Sequence, residues 1–262
     1  MNLLKANFYL GETYFDQKRY SEAIAPYRMV LSKAQNEFTE EALNKLSQIY
    51  LFDEAFEKAL PILKRLEQEA NFPNNILYAQ SNLMQGYYQT QAYELAVAYA
   101  QKILLREKLD LLLENDAKII LARSAFQTND STNAEAFYRE VEQYATGELK
   151  AESLYFNALF KNRKAAYESS NEVVQKMIAK YSSYKYWGVK SYVLMAKNYY
   201  GLQDVYQATY VLENVIKNFK EFEDVVKEAQ IELETIKAAE AKRNNLITPD
   251  KTETSNTEKN KN

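Results

Sequence analysis

The chain has 262 residues, 47% of them hydrophobic and 26% charged, an ordinary globular composition with enough length to bury a large core. Its 33 basic and 36 acidic side chains are mixed along the sequence and sum to a formal charge of −3, so there is no global field to attract nucleic acid or anionic lipid. Cysteine and histidine are both absent, which excludes disulfides, thiolate nucleophiles, Cys/His zinc sites and every histidine-based acid/base scheme.

The start of the chain, from Met1 to Phe8, lacks the basic stretch and long apolar run of a signal peptide, and no run of about 18 apolar residues follows that could span a bilayer. Only five glycines and four prolines occur, too few for the turns of a β-sandwich or barrel. Apolar residues recur instead at three- and four-residue intervals, and the expectation is an all-α chain.

Taken in order, the helical segments fall into self-similar pairs. The first, near 4–38, opens with Leu3, Leu4 and Phe8 and carries Leu10-Gly11, Tyr14, Ala23 and Tyr27. The second, near 40–73, has Leu46-Ser47, Tyr50, Ala59 and Leu63, and the third, near 77–112, has Leu83-Met84, Tyr87, Ala96 and Ala100. The fourth, near 115–147, has Leu121-Ala122, Ala125, Ala134 and Tyr138. The fifth, near 151–184, fits worst, with Asn157-Ala158, Lys161, Ser170 and Val174 at the same places. The sixth, near 189–218, has Met195-Ala196, Tyr199, Ala208 and Leu212.

The small residues Ala23, Ala59, Ala96, Ala134, Ser170 and Ala208 are separated by 36, 37, 38, 36 and 38 residues. Two antiparallel helices must approach closely where a small residue sits, with larger apolar side chains three and four away filling the space beside it. A periodic alanine is therefore expected to be a packing contact. Polar clusters separate the helices of a pair, and Asp16, Asp130 and Asp204 are placed to cap the second helix. Pro26 and Pro61 fall inside second helices and are expected to be tolerated in an early turn. Phe222, Ala229, Leu233 and Ile236 mark a last amphipathic helix over 221–243, and 244–262, rich in Thr, Asn, Lys and Glu, is expected to be a disordered tail.

The order Leu-Gly, Tyr, Ala, Tyr in the first pair resembles the tetratricopeptide repeat pattern L-G-x2-Y…A-x3-F. Tyr186-Trp187, Lys190-Ser191, Leu194-Met195-Ala196 and Gln207-Ala208 resemble the last units of long bacterial tetratricopeptide arrays. The resemblance implies an α-solenoid of about six antiparallel helix-turn-helix units with a capping helix, forming one superhelical domain over 1–243. It also implies that a partner protein or peptide lies in a concave groove lined by the first helix of each unit. On this chain those positions are Phe8, Glu12 and Phe15, then Asn44, Gln48 and Leu51, then Ser81, Gln85 and Tyr88. Ile119, Arg123 and Phe126 follow, then Tyr155 and Leu159, then Val193, Lys197 and Tyr200. Members that bind chaperone tails hold a carboxylate with a Lys/Asn set; Phe8 and Glu12 stand at its first two places here, so that partner class is disfavoured.

Catalysis has little to work with. The glycines form neither a G-x-G-x-x-G turn nor a Walker loop, and no D-x-D-x-D-G calcium loop appears. Carboxylates such as Glu37, Glu40, Glu41, Glu114 and Asp116 suit solvated helix faces, and no spacing divides them into acid and base. No enzyme activity, cofactor, nucleic-acid binding or membrane insertion is expected. The 22 tyrosines fill repeat positions and enrich the surface in a residue suited to protein contacts. The functional expectation is a protein-binding scaffold. Its alternative is a structural spacer or assembly segment of a longer array, in the manner of an envelope-associated assembly factor, and the apolar first repeat is a candidate for self-association. The compartment is expected to be cytoplasmic if the chain is complete and periplasmic if it belongs to a longer exported array.

Overall fold

A computed structural model describes residues 3–247. Among the described residues there are thirteen helices and no strand. They are α1 (Leu3–Asp16), α2 (Tyr20–Leu31), α3 (Thr39–Phe52), α4 (Phe56–Glu69), α5 (Pro73–Gln89), α6 (Tyr93–Leu104) and α7 (Leu111–Gln127). The series continues with α8 (Ser131–Tyr144), α9 (Gly147–Arg163), α10 (Tyr167–Lys180), α11 (Lys185–Gly201), α12 (Val205–Asn218) and α13 (Glu223–Ile247). Odd-numbered helices open a hairpin and even-numbered helices close it, α13 standing alone after the sixth. The contacts divide the chain into two compact units, Met1–Tyr144 and Ala145–Asn262. In the first, α1 to α8 pack each on the next; in the second, α9 to α13 do the same. Each unit is an all-α stack of tetratricopeptide-like hairpins.

All six hairpins turn in the same way. Lys18, Glu54, Gln91, Asn129, Ala165 and Gln203 have φ between +52° and +64°, the left-handed region. The N–H of the following residue donates to the carbonyl five residues back, Arg19 to Tyr14, Ala55 to Tyr50, Ala92 to Tyr87, Asp130 to Ala125, Ala166 to Lys161 and Asp204 to Tyr199, at 2.8–3.0 Å. This is the Schellman closure, which satisfies carbonyls that the end of a helix would leave orphaned. The carbonyls it closes belong to the residue at the repeat's first aromatic place. Each left-handed residue also precedes the periodic small residue by the same interval, so turn and packing contact share one spacing.

The small residues are contacts: Ala23, Ala59, Ala96, Ala134, Ser170 and Ala208 are wholly buried. Four residues on, Tyr27, Leu63, Ala100, Tyr138, Val174 and Leu212 are buried with them. Tyr27 lies so close over Gly11 that a Cβ there would come within 2.8 Å of its ring, which is why the first unit carries glycine at this place. The poorly fitting fifth unit has a different seam. The Ser170 hydroxyl donates to the Ala158 carbonyl at 2.8 Å and accepts from Asn198 Nδ2 at 2.9 Å. Asn198 also donates to Asn171 Oδ1 and accepts from Asn162 Nδ2, both at 2.8 Å. A satisfied polar network replaces apolar contact there.

Several local expectations are corrected. Pro26 and Pro61 sit in the second turns of α2 and α4, not the first, where each removes an interior helical hydrogen bond. Asp130 and Asp204 do cap their helices, accepting from the N–H of Asn133 and Gln207. Asp16 does not, because it is the last residue of α1 and the N-cap of α2 is Arg19. The final helix runs past Arg243 to Ile247, taking in the first four residues read as tail; the remainder of 244–262 lies outside the described residues.

Candidate functional site

In the first unit the residues named from sequence lie on α1, α3, α5 and α7. Phe8 is buried, stacked on Phe38 of the α2–α3 connection with ring centroids 4.6 Å apart, and Ile119 is buried as well; these two fill the unit rather than line a surface. Glu12 is half-buried and accepts from the Tyr27 hydroxyl at 2.5 Å. Burial, reinforced by that carboxylate, pushes the Tyr27 phenol well above its ordinary range. Phe15 meets Tyr20 edge-on at 5.3 Å, with the Lys45 ammonium 4.5 Å from its ring centre.

On α3, Gln48 donates to Asn44, Asn44 Nδ2 donates to Asn75 Oδ1 at 3.0 Å, and Asn75 Nδ2 donates to Glu40 at 2.8 Å. Burial alone would raise the Glu40 carboxyl, but the Asn71 and Phe72 N–H groups and the Asn75 amide hold it below the usual range. The amides named from sequence are therefore partly committed to joining α3 to α5. Gln85, Tyr88, Arg123 and Phe126 are half-buried, and α5 and α7, which carry them, touch directly. Tyr88 packs against Tyr93 at 5.7 Å. Burial raises the Asp116 carboxyl, and the Arg123 charge opposes that shift.

In the second unit the first-helix face is built by α9, α11 and α13, which contact one another in that order. Tyr155 is buried beneath Trp187, ring centroids 5.5 Å apart, and Phe156 lies 6.0 Å from the same indole. Trp187 meets Tyr186 edge-on at 5.3 Å, and Tyr186 meets Phe222 at 5.9 Å. The Lys190 ammonium is bracketed by two rings, 5.5 Å from the centre of Tyr155 and 5.6 Å from that of Tyr186. The Tyr186 hydroxyl donates to Asp224 at 2.8 Å, and burial together with that bond pushes its phenol up to about 12. Burial raises the Tyr155 phenol too, with a further contribution from the Glu228 charge.

Lys197 pairs with Glu228 at 2.7 Å and Glu232 at 3.8 Å, and the Tyr200 hydroxyl donates to Glu240 at 3.3 Å. Both residues named from sequence thus face α13. Sequence reasoning missed Trp187, Lys190 and the carboxylates of α13 as members of this face. Their signal was present in the four-residue spacing of Tyr186 and Lys190 and of Asp224, Glu228 and Glu232.

Among the described residues no group of three or more acidic side chains is placed to hold a metal, and no helix is long and apolar enough to cross a membrane. Stacked hairpins whose first helices carry aromatic, amide and charged side chains define a helical-repeat fold. Residues 4–38 match the model of the tetratricopeptide repeat family, and the five following hairpins repeat the same turn and the same buried contact, so the fold is a series of tetratricopeptide-like hairpins.

No curated protein matches the sequence. Among solved structures, the apo form of RapI is similar in fold, with a TM-score of 0.55 at 15% identity over 92% of this chain and 99% of that one. A tetratricopeptide repeat protein from Parabacteroides merdae matches at 16% identity over 87% of this chain and 84% of that one, TM-score 0.48. BtubC from P. vanneervenii matches at 15% identity over the full length of both chains, TM-score 0.49.

Proposed function

We propose that this chain is a non-catalytic scaffold that holds a partner protein against the first-helix faces of its two units. The observation that carries the reading is the cluster on α9 and α11. There Trp187 and Tyr186 remain partly open to solvent above buried Tyr155, with a lysine held between the rings. Rigid aromatic anchors beside a positioned cation are the residue types that dominate protein interfaces, because they bury large area with few torsions to freeze. Tyr88, Arg123 and Phe126 supply the corresponding types in the first unit, and a partner segment there is bound by apolar contact and a charge-assisted hydrogen bond.

Replacing Tyr88, Arg123 and Phe126 together by Ala, or Trp187 alone by Ala, is expected to lower partner recovery from the native cell at least about tenfold, roughly 1.4 kcal/mol. Helicity should be retained. An unchanged set of partners with intact folding would contradict the reading. One observation favours an assembly role as a second reading: the outer side of α1 exposes Leu3, Tyr9 and Leu10, so self-association through the first repeat is a contact of the same chain that does not use the first-helix groove.

A further inference from the structure

The first-helix face of the second unit is built to meet carboxylates. Tyr186, Lys190, Val193, Lys197 and Tyr200 are spaced four, three, four and three apart, so they share one side of α11. Asp224, Glu228 and Glu232 recur at every fourth residue of α13, and Glu240 lies on the same helix. That side of α11 takes all four: the Tyr186 hydroxyl donates to Asp224 at 2.8 Å, Lys197 pairs with Glu228 at 2.7 Å and Glu232 at 3.8 Å, and the Tyr200 hydroxyl donates to Glu240 at 3.3 Å.

Lys190 is the polar residue of this row that α13 leaves over. Its ammonium lies between the rings of Tyr155 and Tyr186, and among the described residues it has neither a carboxylate partner nor a hydrogen-bond acceptor. Glu228, whose charge helps to raise the phenols of both tyrosines, is already paired with Lys197. Ring faces attract the charge of an ammonium but give its three N–H groups no lone pairs to meet. They also hold the half-buried side chain in place, so little of its freedom remains to be lost when a ligand binds.

We propose that Lys190 receives an aspartate or glutamate side chain of the partner, and that the large apolar residue beside it in the partner packs on Trp187. The inference rests on the scaffold reading and specifies what the second unit holds. A single negative charge fits better than a phosphate, because Asp224 and Glu228 stand near the same rings and repel a dianion more strongly. A side chain fits better than a chain end, because Tyr186, Lys197 and Tyr200 are already engaged and Lys190 alone of the row's donors is left to meet it. The carboxylates that α13 presents to this face are of the same kind.

Trp187 is the only tryptophan of the chain, so its fluorescence reports on this place alone. The full chain is titrated with a capped, tryptophan-free peptide carrying Asp-Phe in a Gly-Ser frame, and with its Asn-Phe counterpart. Asp-Phe should bind at least about fivefold more tightly, by a margin that shrinks as salt is added. Lys190→Gln should erase the preference, whereas Lys190→Arg, and Lys185→Gln at an exposed lysine of the same helix, should keep it. A Gly-Phe peptide with a free carboxyl terminus should bind no better than Asn-Phe. Equal binding of Asp-Phe and Asn-Phe, binding of neither, a preference that survives Lys190→Gln, or tighter binding of the free terminus overturns the inference. Partner recovery from the native cell separates this failure from failure of the scaffold reading. Recovery lost in Trp187→Ala but kept in Lys190→Gln overturns the carboxylate contact and leaves the scaffold standing, whereas peptide discrimination through Lys190 with recovery unchanged in Trp187→Ala contradicts the scaffold alone.

Discussion

The side-chain amide of Asn198 donates to the Ser170 hydroxyl at 2.9 Å, and neither residue has any exposed surface. Three further partners, Ala158, Asn171 and Asn162, complete the network, so the least regular unit of the array is joined to the next by hydrogen bonds that leave none of these groups unmatched. Asn198→Ala removes the amide at its centre and strands Asn171, Asn162 and Ser170. A loss of about 1–3 kcal/mol is expected in chemical denaturation. Ser170→Ala, which restores the repeat's usual residue, should also destabilise, since it strands Asn198. A neutral result for both would show that the network does not hold the seam.

Gly201 and Gly188 lie on the same helix and are expected to respond in opposite ways. A Cβ on Gly201 would come within 2.4 Å of the Tyr167 ring, so Gly201→Ala must displace that tyrosine, at a cost of about 1–3 kcal/mol. Gly188 has nothing within 4 Å of the same position, and Gly188→Ala should stabilise by about 0.5–1 kcal/mol through lower backbone entropy in the unfolded chain. Thermal denaturation of the two variants is sufficient, and shifts of the same sign would contradict the packing.

Ala165 adopts φ +57° with no side chain to compensate. Ala165→Gly should relieve about 1 kcal/mol of strain, part of it offset by the greater freedom of glycine when unfolded. Ala238→Gly, at an exposed position inside α13, should destabilise by about 1 kcal/mol instead. Equal effects would mean that the turn residue is not strained.

Glu67 couples α4, α5 and α6 to acid. Burial alone would raise its carboxyl, but donation from Lys102 at 2.5 Å, Tyr99 at 2.7 Å and Gln80 at 2.8 Å holds it below the ordinary range. A carboxyl lowered on folding contributes stability that is complete above its unfolded value and is lost as pH falls through the folded one. The parent should therefore weaken below about pH 4.5, and Glu67→Gln should be less stable near neutrality and flatter across that acid range. Parallel pH profiles for the two proteins would show that Glu67 carries no such linkage.

Much of the fold was legible because close helix packing permits only a small residue at one point of each hairpin, and Ala23 to Ala208 mark it. The turns were not legible in type. Left-handed positions favour glycine, yet these six hold Lys, Glu, Gln, Asn, Ala and Gln, and the packing of the two helices overrides the local preference. The face carrying a candidate site follows from spacing within a helix, whereas what covers that face depends on neighbours that spacing does not describe. Phe8 falls on the first-helix face but is buried by Phe38 from a connection, Tyr155 is buried under Trp187, and Lys197 is held by α13.

Partner contact through the first-helix faces is most directly tested by photocrosslinking in the native cell. A photoreactive phenylalanine analogue is placed at position 88 or 187, or at Tyr206, which lies 73% exposed on second helix α12. The account requires the same partner to crosslink from 88 and 187 and not from 206. Crosslinks from 206 with none from the first-helix positions would contradict it.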